Sequence, residues 1–138
     1  MIQRFVIGKP FPTESVVLPV EPAAAAVPYL TAEPDGSWSF SLAEDAVVYG
    51  LGEMPRGINK RGWHYVADNT DESHHGENRL SYYGAHNFLL IDGGAGRSVF
   101  GVFVDFPGKV FYDIGYTRHD RLTFRTEEPD YRQNRRGA

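Results

Sequence analysis

The stretch His86-Asn87-Phe88-Leu89-Leu90-Ile91-Asp92-Gly93-Gly94-Ala95-Gly96-Arg97-Ser98-Val99-Phe100-Gly101-Val102-Phe103-Val104 sets two apolar runs on either side of a glycine-rich turn. Each run is short, and rich in β-branched, leucine and aromatic residues, which is how strands read in sequence. Glycine tolerates positive φ, so residues 92–97 predict a hairpin joining the two runs. A phosphate-cradling loop would need a helix to follow, and a strand-like run follows instead. Residues 99–104 are apolar in both phases of a strand, which predicts an inner strand covered on both faces.

Similar short runs recur outward from this hairpin. They fall at 3–7, 15–20, 37–42, 47–50, 62–67, 86–91, 98–106, 110–114 and 121–125, each bounded by Gly, Pro, Asn or Asp. Ser37-Trp38-Ser39-Phe40-Ser41-Leu42 alternates polar and apolar, the period of a strand with one buried and one wet face. Fifteen glycines and nine prolines are spread along the chain and leave few windows for a helix. The alanine run at 23–26, crowded by Pro19, Pro22 and Pro28, has room for one turn at most. The pattern predicts an all-β protein with little helix, an antiparallel β-sandwich.

Composition narrows the function. The chain has 138 residues, one domain's worth, and 41% of them are hydrophobic, enough to build a core without staples. It has no cysteine, which excludes disulfides, thiolate nucleophiles and Cys-ligated zinc. A net charge of −4 argues against a nucleic-acid partner, because phosphate-backbone binding needs clustered cations. The longest apolar stretches fall short of the ~20 residues a membrane helix needs, and the N-terminus lacks a signal-peptide core. No membrane partner is expected, and the expected location is cytoplasmic.

The densest polar cluster is Asp68-Asn69-Thr70-Asp71-Glu72-Ser73-His74-His75-Gly76-Glu77, in a long loop between the run ending near Ala67 and Tyr82-Tyr83. Loops of this kind often carry function. Three interpretations stand open on the residues alone. The carboxylates and histidines are metal-ligand types, but their spacing fits no calcium loop and no HExxH pair. Asp68 with Asp71, or His75 with Glu77, has the chemistry for acid and base work across a sugar bond, where two carboxyls stand ~5 to 9.5 Å apart. A solvated loop whose Asx side chains cap turns needs no ligand at all. Trp38, Trp63, Tyr65, Tyr82 and Tyr83 are sugar-stacking candidates that are more often core, and His64 and His86 read as hydrogen-bonded structural residues.

Six segments carry a further signal. In order they are Tyr49-Gly50-Leu51-Gly52-Glu53, Gly57-Ile58-Asn59-Lys60-Arg61-Gly62, Asn69-Thr70-Asp71, Tyr83-Gly84-Ala85-His86-Asn87-Phe88, Phe100-Gly101-Val102-Phe103 and Phe106-Pro107-Gly108-Lys109-Val110 with Asp113-Ile114-Gly115. Together they resemble glycoside hydrolase family 31, the α-glucosidase and α-xylosidase family, over residues 47–126 in register. The opening Arg4-Phe5-Val6-Ile7-Gly8-Lys9-Pro10-Phe11 is similar to the start of compact bacterial members, which implies a native start at Met1.

The resemblance implies that residues 1–131 form the family's galactose-mutarotase-like N-terminal sandwich, with 132–138 a short basic tail expected to be disordered. In the family the nucleophile and the general acid are two Asp residues of a (β/α)8 barrel that follows the sandwich. Here Pro129-Asp130-Tyr131 is followed by Arg132-Gln133-Asn134-Arg135-Arg136-Gly137-Ala138, which departs from the family and is expected to be a truncated, frameshifted or engineered end. No catalytic residue, metal ligand or cofactor-binding residue is carried over, and the chain alone is expected to be inactive. Asp71 matches the N-T-D loop whose Asp contacts sugar hydroxyls, with Asn69, Thr70 and Glu72 as loop support. The implied partners are an α-glucoside or related sugar and the protein's own barrel, and a sandwich without its barrel is expected to self-associate. The alternative is a free-standing sugar-binding module or mutarotase-like enzyme, in which His75 and Glu77 would exchange protons with an anomeric hydroxyl.

Overall fold

The computed structural model describes residues 30–71 and 73–127. The strands expected at 3–7 and 15–20, the alanine turn at 23–26, Glu72 and the tail at 132–138 lie outside the described residues. Every helix or strand element among the described residues is a strand: β1 (Leu30–Ala32), β2 (Trp38–Ser41), β3 (Val47–Gly52), β4 (Trp63–Ala67), β5 (Ala85–Asp92), β6 (Val99–Phe103), β7 (Val110–Ile114) and β8 (Arg121–Thr126). They form a five-stranded sheet in the order β1-β2-β8-β7-β4 and a three-stranded sheet in the order β3-β5-β6. All pairings are antiparallel.

Period-two alternation places the core between the sheets. From the larger sheet, Val110, Tyr112 and Ile114 of β7, Leu122 and Phe124 of β8 and Phe40 of β2 point inward. They meet Val48 and Leu51 of β3 and Leu89 and Ile91 of β5 in one buried cluster. The Phe40 and Phe100 rings, 5.5 Å apart, join the two layers directly. Val48, Ile91, Val110, Ile114 and Leu122 are fully buried, and each such side chain contributes about 1.5 to 3 kcal/mol relative to exposure.

The hairpin forms as expected. β5 and β6 pair from Phe88↔Phe103 to Asp92↔Val99, and the turn closes with Arg97 N–H donating to the Gly94 carbonyl at 2.9 Å. Gly94 has φ +83°, and a Cβ there would collide with the Asp45 carboxylate. That carboxylate accepts from the Ala95 amide at 3.0 Å, so the turn is fastened to the loop before β3. A second glycine matters in β3, where the register slips between Gly50 and Gly52. Gly50 has φ +119° and a Cβ there would strike the Phe88 carbonyl.

Two expectations are corrected. Residues 99–104 are not an inner strand: β6 borders the smaller sheet among the described residues, with Val99 59% and Phe103 65% exposed. One phase, Phe100 and Val102, packs on the core. The other pairs with its neighbour on the outer face, as Phe103 does with Phe88, so both phases are apolar for different reasons. The serine face at 37–41 is wet only at its far end, because Ser41 is exposed while Ser37 and Ser39 are each 2% exposed. Ser39 Oγ donates to Glu33 Oε1 at 2.5 Å, the same oxygen that Arg121 reaches at 2.6 Å, and Ser37 Oγ donates to Asp35 at 2.6 Å. Short hydroxyls let the strand lie under a polar cover that satisfies them.

Candidate functional site

The segment 57–62 closes one end of the sandwich, and each polar side chain in it has a backbone partner. Asn59 Oδ1 accepts from the Val48 amide at 3.2 Å and from the Arg61 amide at 3.1 Å. Lys60 is 5% exposed, and its Nζ donates to the Met54 and Pro55 carbonyls at 3.4 and 3.3 Å. Burial pushes the Lys60 ammonium below its ordinary value, Glu77 opposes that shift and Arg56 adds to it. Arg61 donates to the carbonyls of Ala43, Glu44 and Ala46 at 2.8, 2.8 and 3.0 Å and to that of His119 at 2.7 Å. This motif is a clasp between loops, built from a cation wherever several carbonyls converge.

β4 leads from the clasp into the polar loop. The loop's two ends are tied, with Val66 N–H donating to the Leu80 carbonyl at 3.0 Å and Ser81 Oγ donating to the Asp68 carbonyl at 3.0 Å. Within it, Tyr82 OH donates to the Gly76 carbonyl at 3.1 Å. The His75 ring lies 4.8 and 5.0 Å from the rings of Tyr82 and Tyr83. Asn69, Thr70 and Asp71 project from this anchored base and are exposed. Glu72 lies outside the described residues.

The residues weighed for acid and base work have other neighbours. Asp68 is claimed by Lys109 at 2.8 Å, while Asp71 stands in solvent. His75 packs on the two tyrosines, and the charge of Glu77 acts on Lys60. Among the described residues no group of three or more His, Asp or Glu side chains is arranged to hold a metal ion. His64 Nε2 lies 3.1 Å from Asp113 Oδ2 with its ring 4.3 Å from that of Tyr116, and His86 Nδ1 accepts from the Phe88 amide at 3.3 Å. Of the aromatic candidates, Tyr65 and Tyr82 are core, Trp38 is half-buried, and Trp63 and Tyr83 are 45% and 48% exposed. The Arg56 guanidinium covers Trp63, 4.2 Å from the ring centroid.

Beside the loop lies a cavity of about 530 Å3, between the end of β4, the start of β5, the 106–109 segment and the residue after β8. Asp68, Asn69, His86, Phe106, Lys109 and Glu127 line it. Asn87, also in the lining, accepts from Tyr112 OH at 3.1 Å and donates to the Phe106 carbonyl at 3.4 Å. A hydrogen bond to Asp68, reinforced by its charge, holds the Lys109 ammonium above its ordinary value. Nothing local to the chain marks Phe106, Lys109 or Glu127 as site residues, because they come from separate segments that only the sheet order brings together.

Comparison with known proteins gives a consistent result. The family model for the glycosyl hydrolase 31 N-terminal galactose mutarotase-like domain matches residues 21–113. Among solved structures, the chain is similar to the cycloalternan-degrading enzyme from Trueperella pyogenes in complex with cycloalternan, at 21% identity and a TM-score of 0.60, covering 67% of this chain and 12% of that one. It is similar to the dextranase of glycoside hydrolase family 31 from Flavobacterium johnsoniae complexed with glucose, at 24% identity and a TM-score of 0.55, covering 72% and 12%. It is also similar to the cycloalternan-forming enzyme from Listeria monocytogenes in complex with a pentasaccharide substrate, at 20% identity and a TM-score of 0.55, covering 64% and 8%. At these identities the likeness establishes the fold, and the chain spans no more than 12% of the length of any of the three. No curated protein matches the sequence.

Proposed function

Because the chain belongs to the family of glycosyl hydrolase 31 N-terminal galactose mutarotase-like domains, we propose that it serves as the non-catalytic sandwich of an α-glucosidase-like hydrolase and that its 69–71 loop lends Asp71 to the sugar site of a separate catalytic domain. The observation that carries this is the contrast within one loop. Its base is tied by Ser81 and Tyr82, and its tip presents an exposed carboxylate at Asp71. An ionised carboxylate offers two acceptor oxygens, which suits a pair of neighbouring sugar hydroxyls with charge-assisted hydrogen bonds. Anchoring the loop base lowers the ordering cost of such a contact.

In this reading the sandwich supplies binding and orientation, and bond cleavage belongs to the partner domain. The purified 138-residue chain is expected to leave an aryl α-glucoside intact. In the enzyme that carries this sandwich with its catalytic domain, Asp71→Ala and Asp71→Asn are expected to lower kcat/KM about tenfold to hundredfold, the range for losing a charged hydrogen bond to substrate. Unchanged kcat/KM in both variants would refute the loop role. Turnover by the isolated chain that Asp71→Ala abolishes would overturn the non-catalytic assignment.

A further inference from the structure

We propose that the cavity between Asp68, Phe106, Lys109 and Glu127, at the base of the 69–71 loop, is a sugar-binding site of this domain, taking a single neutral pyranose ring. The ligand class follows from the lining, and it draws on the preceding reading in one respect, that the parent protein handles glucosides.

The site is a half-open groove of about 530 Å3, with room for one sugar ring that keeps a side in solvent. The lining excludes most alternatives. Two carboxylates, Asp68 and Glu127, face one ammonium, Lys109, so an anion such as phosphate meets net repulsion. A purely apolar ligand would strip water from the Asp68–Lys109 pair and return no hydrogen bonds. The described residues hold no cluster suited to a divalent cation.

A neutral polyol ring answers all of these constraints. Each hydroxyl both donates and accepts, so it can give a proton to Asp68 or Glu127 and accept one from Lys109 or Asn69. The C–H face of a pyranose needs an apolar surface, which Pro107 and the solvent-facing part of Phe106, a side chain otherwise packed on the core, supply. The Phe106 ring is held against Gly108, where a Cβ would lie 2.7 Å from the ring edge. The Asn87 hydrogen bonds tie the Phe106 backbone to Tyr112 before any ligand arrives. Asp71 is not among the lining residues, so the cavity and the loop tip are separable by mutation.

The test is a titration of the full 138-residue chain with methyl α-glucoside, followed by amide chemical shifts and calorimetry. Saturable binding is expected with Kd on the order of millimolar, as befits one sugar ring. The shift changes should centre on residues 68–69, 86–87, 106–109 and 127. Phe106→Ala, Asp68→Asn and Glu127→Gln should each weaken binding at least about fivefold, equivalent to roughly 1 kcal/mol, whereas Arg118→Ala, outside the lining, should leave it unchanged. Glu127→Gln changes an exposed side chain at a strand end and keeps the test open if Phe106→Ala fails to fold. The proposal is overturned by no saturable shifts, by shifts centred elsewhere, or by inorganic phosphate binding more tightly than the glucoside. Loss of binding in Asp71→Ala with the cavity variants unaffected would sink the cavity and leave the loop reading standing.

Discussion

Replacing Arg61 with Met keeps much of the aliphatic stem and removes the fork that joins the 43–46 turn to the His119 loop. Four hydrogen bonds disappear, to Ala43, Glu44, Ala46 and His119, at 2.7 to 3.0 Å. Hydrogen bonds to a charged group are worth about 1.5 to 3 kcal/mol each, but that applies where water cannot replace the donor. The bonds to Ala43 and Ala46 are partly buried and those to Glu44 and His119 are exposed, so only the first pair counts in full. The expected destabilisation is therefore about 3 kcal/mol, two bonds at the lower figure. With a urea slope of ~1.5 kcal/mol/M, the unfolding midpoint should fall by about 2 M.

Arg61→Lys should recover only a minor part of this loss, because an ammonium has no planar fork to span diverging carbonyls. The assay is equilibrium urea unfolding followed by tryptophan fluorescence, with the slope checked for constancy so that the midpoint reports stability. A loss below about 0.5 kcal/mol in Arg61→Met, the size of an ordinary surface substitution, would refute the clasp. So would Lys restoring full stability, since a point charge would then suffice.

Two predictions concern the hairpin turn and acid stability. Gly94→Ala forces a Cβ onto Asp45 at φ +83°, whereas Gly96→Ala has a comparable φ of +74° with nothing within 4 Å; thermal melts should show Gly94→Ala losing about 2 to 3 kcal/mol and Gly96→Ala about 1, and equal losses would show that the Asp45 contact is irrelevant. For Asp113, burial pushes the carboxyl up, but hydrogen bonds from the Thr117 side chain and amide, the Tyr116 amide and His64 outweigh it and hold the group below its ordinary value. A folded value below the unfolded one means stability that is present above pH ~4 and is lost as pH falls through the folded value. The gap in urea midpoint between the native chain and Asp113→Asn should thus be open at about pH 6 and narrow as the pH falls below ~4; a gap that stays constant under acidification would contradict the assignment.

Strand positions were readable wherever local chemistry is complete in a few residues. The runs at 62–67, 86–91, 110–114 and 121–125 each carry their own alternation and their own turn signals, and the structure has strands β4, β5, β7 and β8 there. β1 escaped because Leu30-Thr31-Ala32 is too short for a period to show, and it is a strand only through its pairing with Trp38–Phe40 of β2. Ser37 and Ser39 misled for a related reason, since a serine's environment is set by whichever side chains cross above it, here Asp35 and Glu33.

The sequence by itself determined the all-β class, the hairpin at 92–97 and the family, because turn glycines, alternation and ordered motifs are local properties of the chain. It also marked the exposed loop that holds Asp71. Only the tertiary structure decided that Lys109 neutralises Asp68, that Arg61 clasps two loops, and that β6 lies at a border with an apolar outer face. It alone assembled the cavity, whose walls come from residues 68, 86, 106, 109 and 127. Sheet order brings these positions together through hydrogen-bonded pairings between strands distant in sequence, and such long-range closure leaves no periodic trace in any one segment.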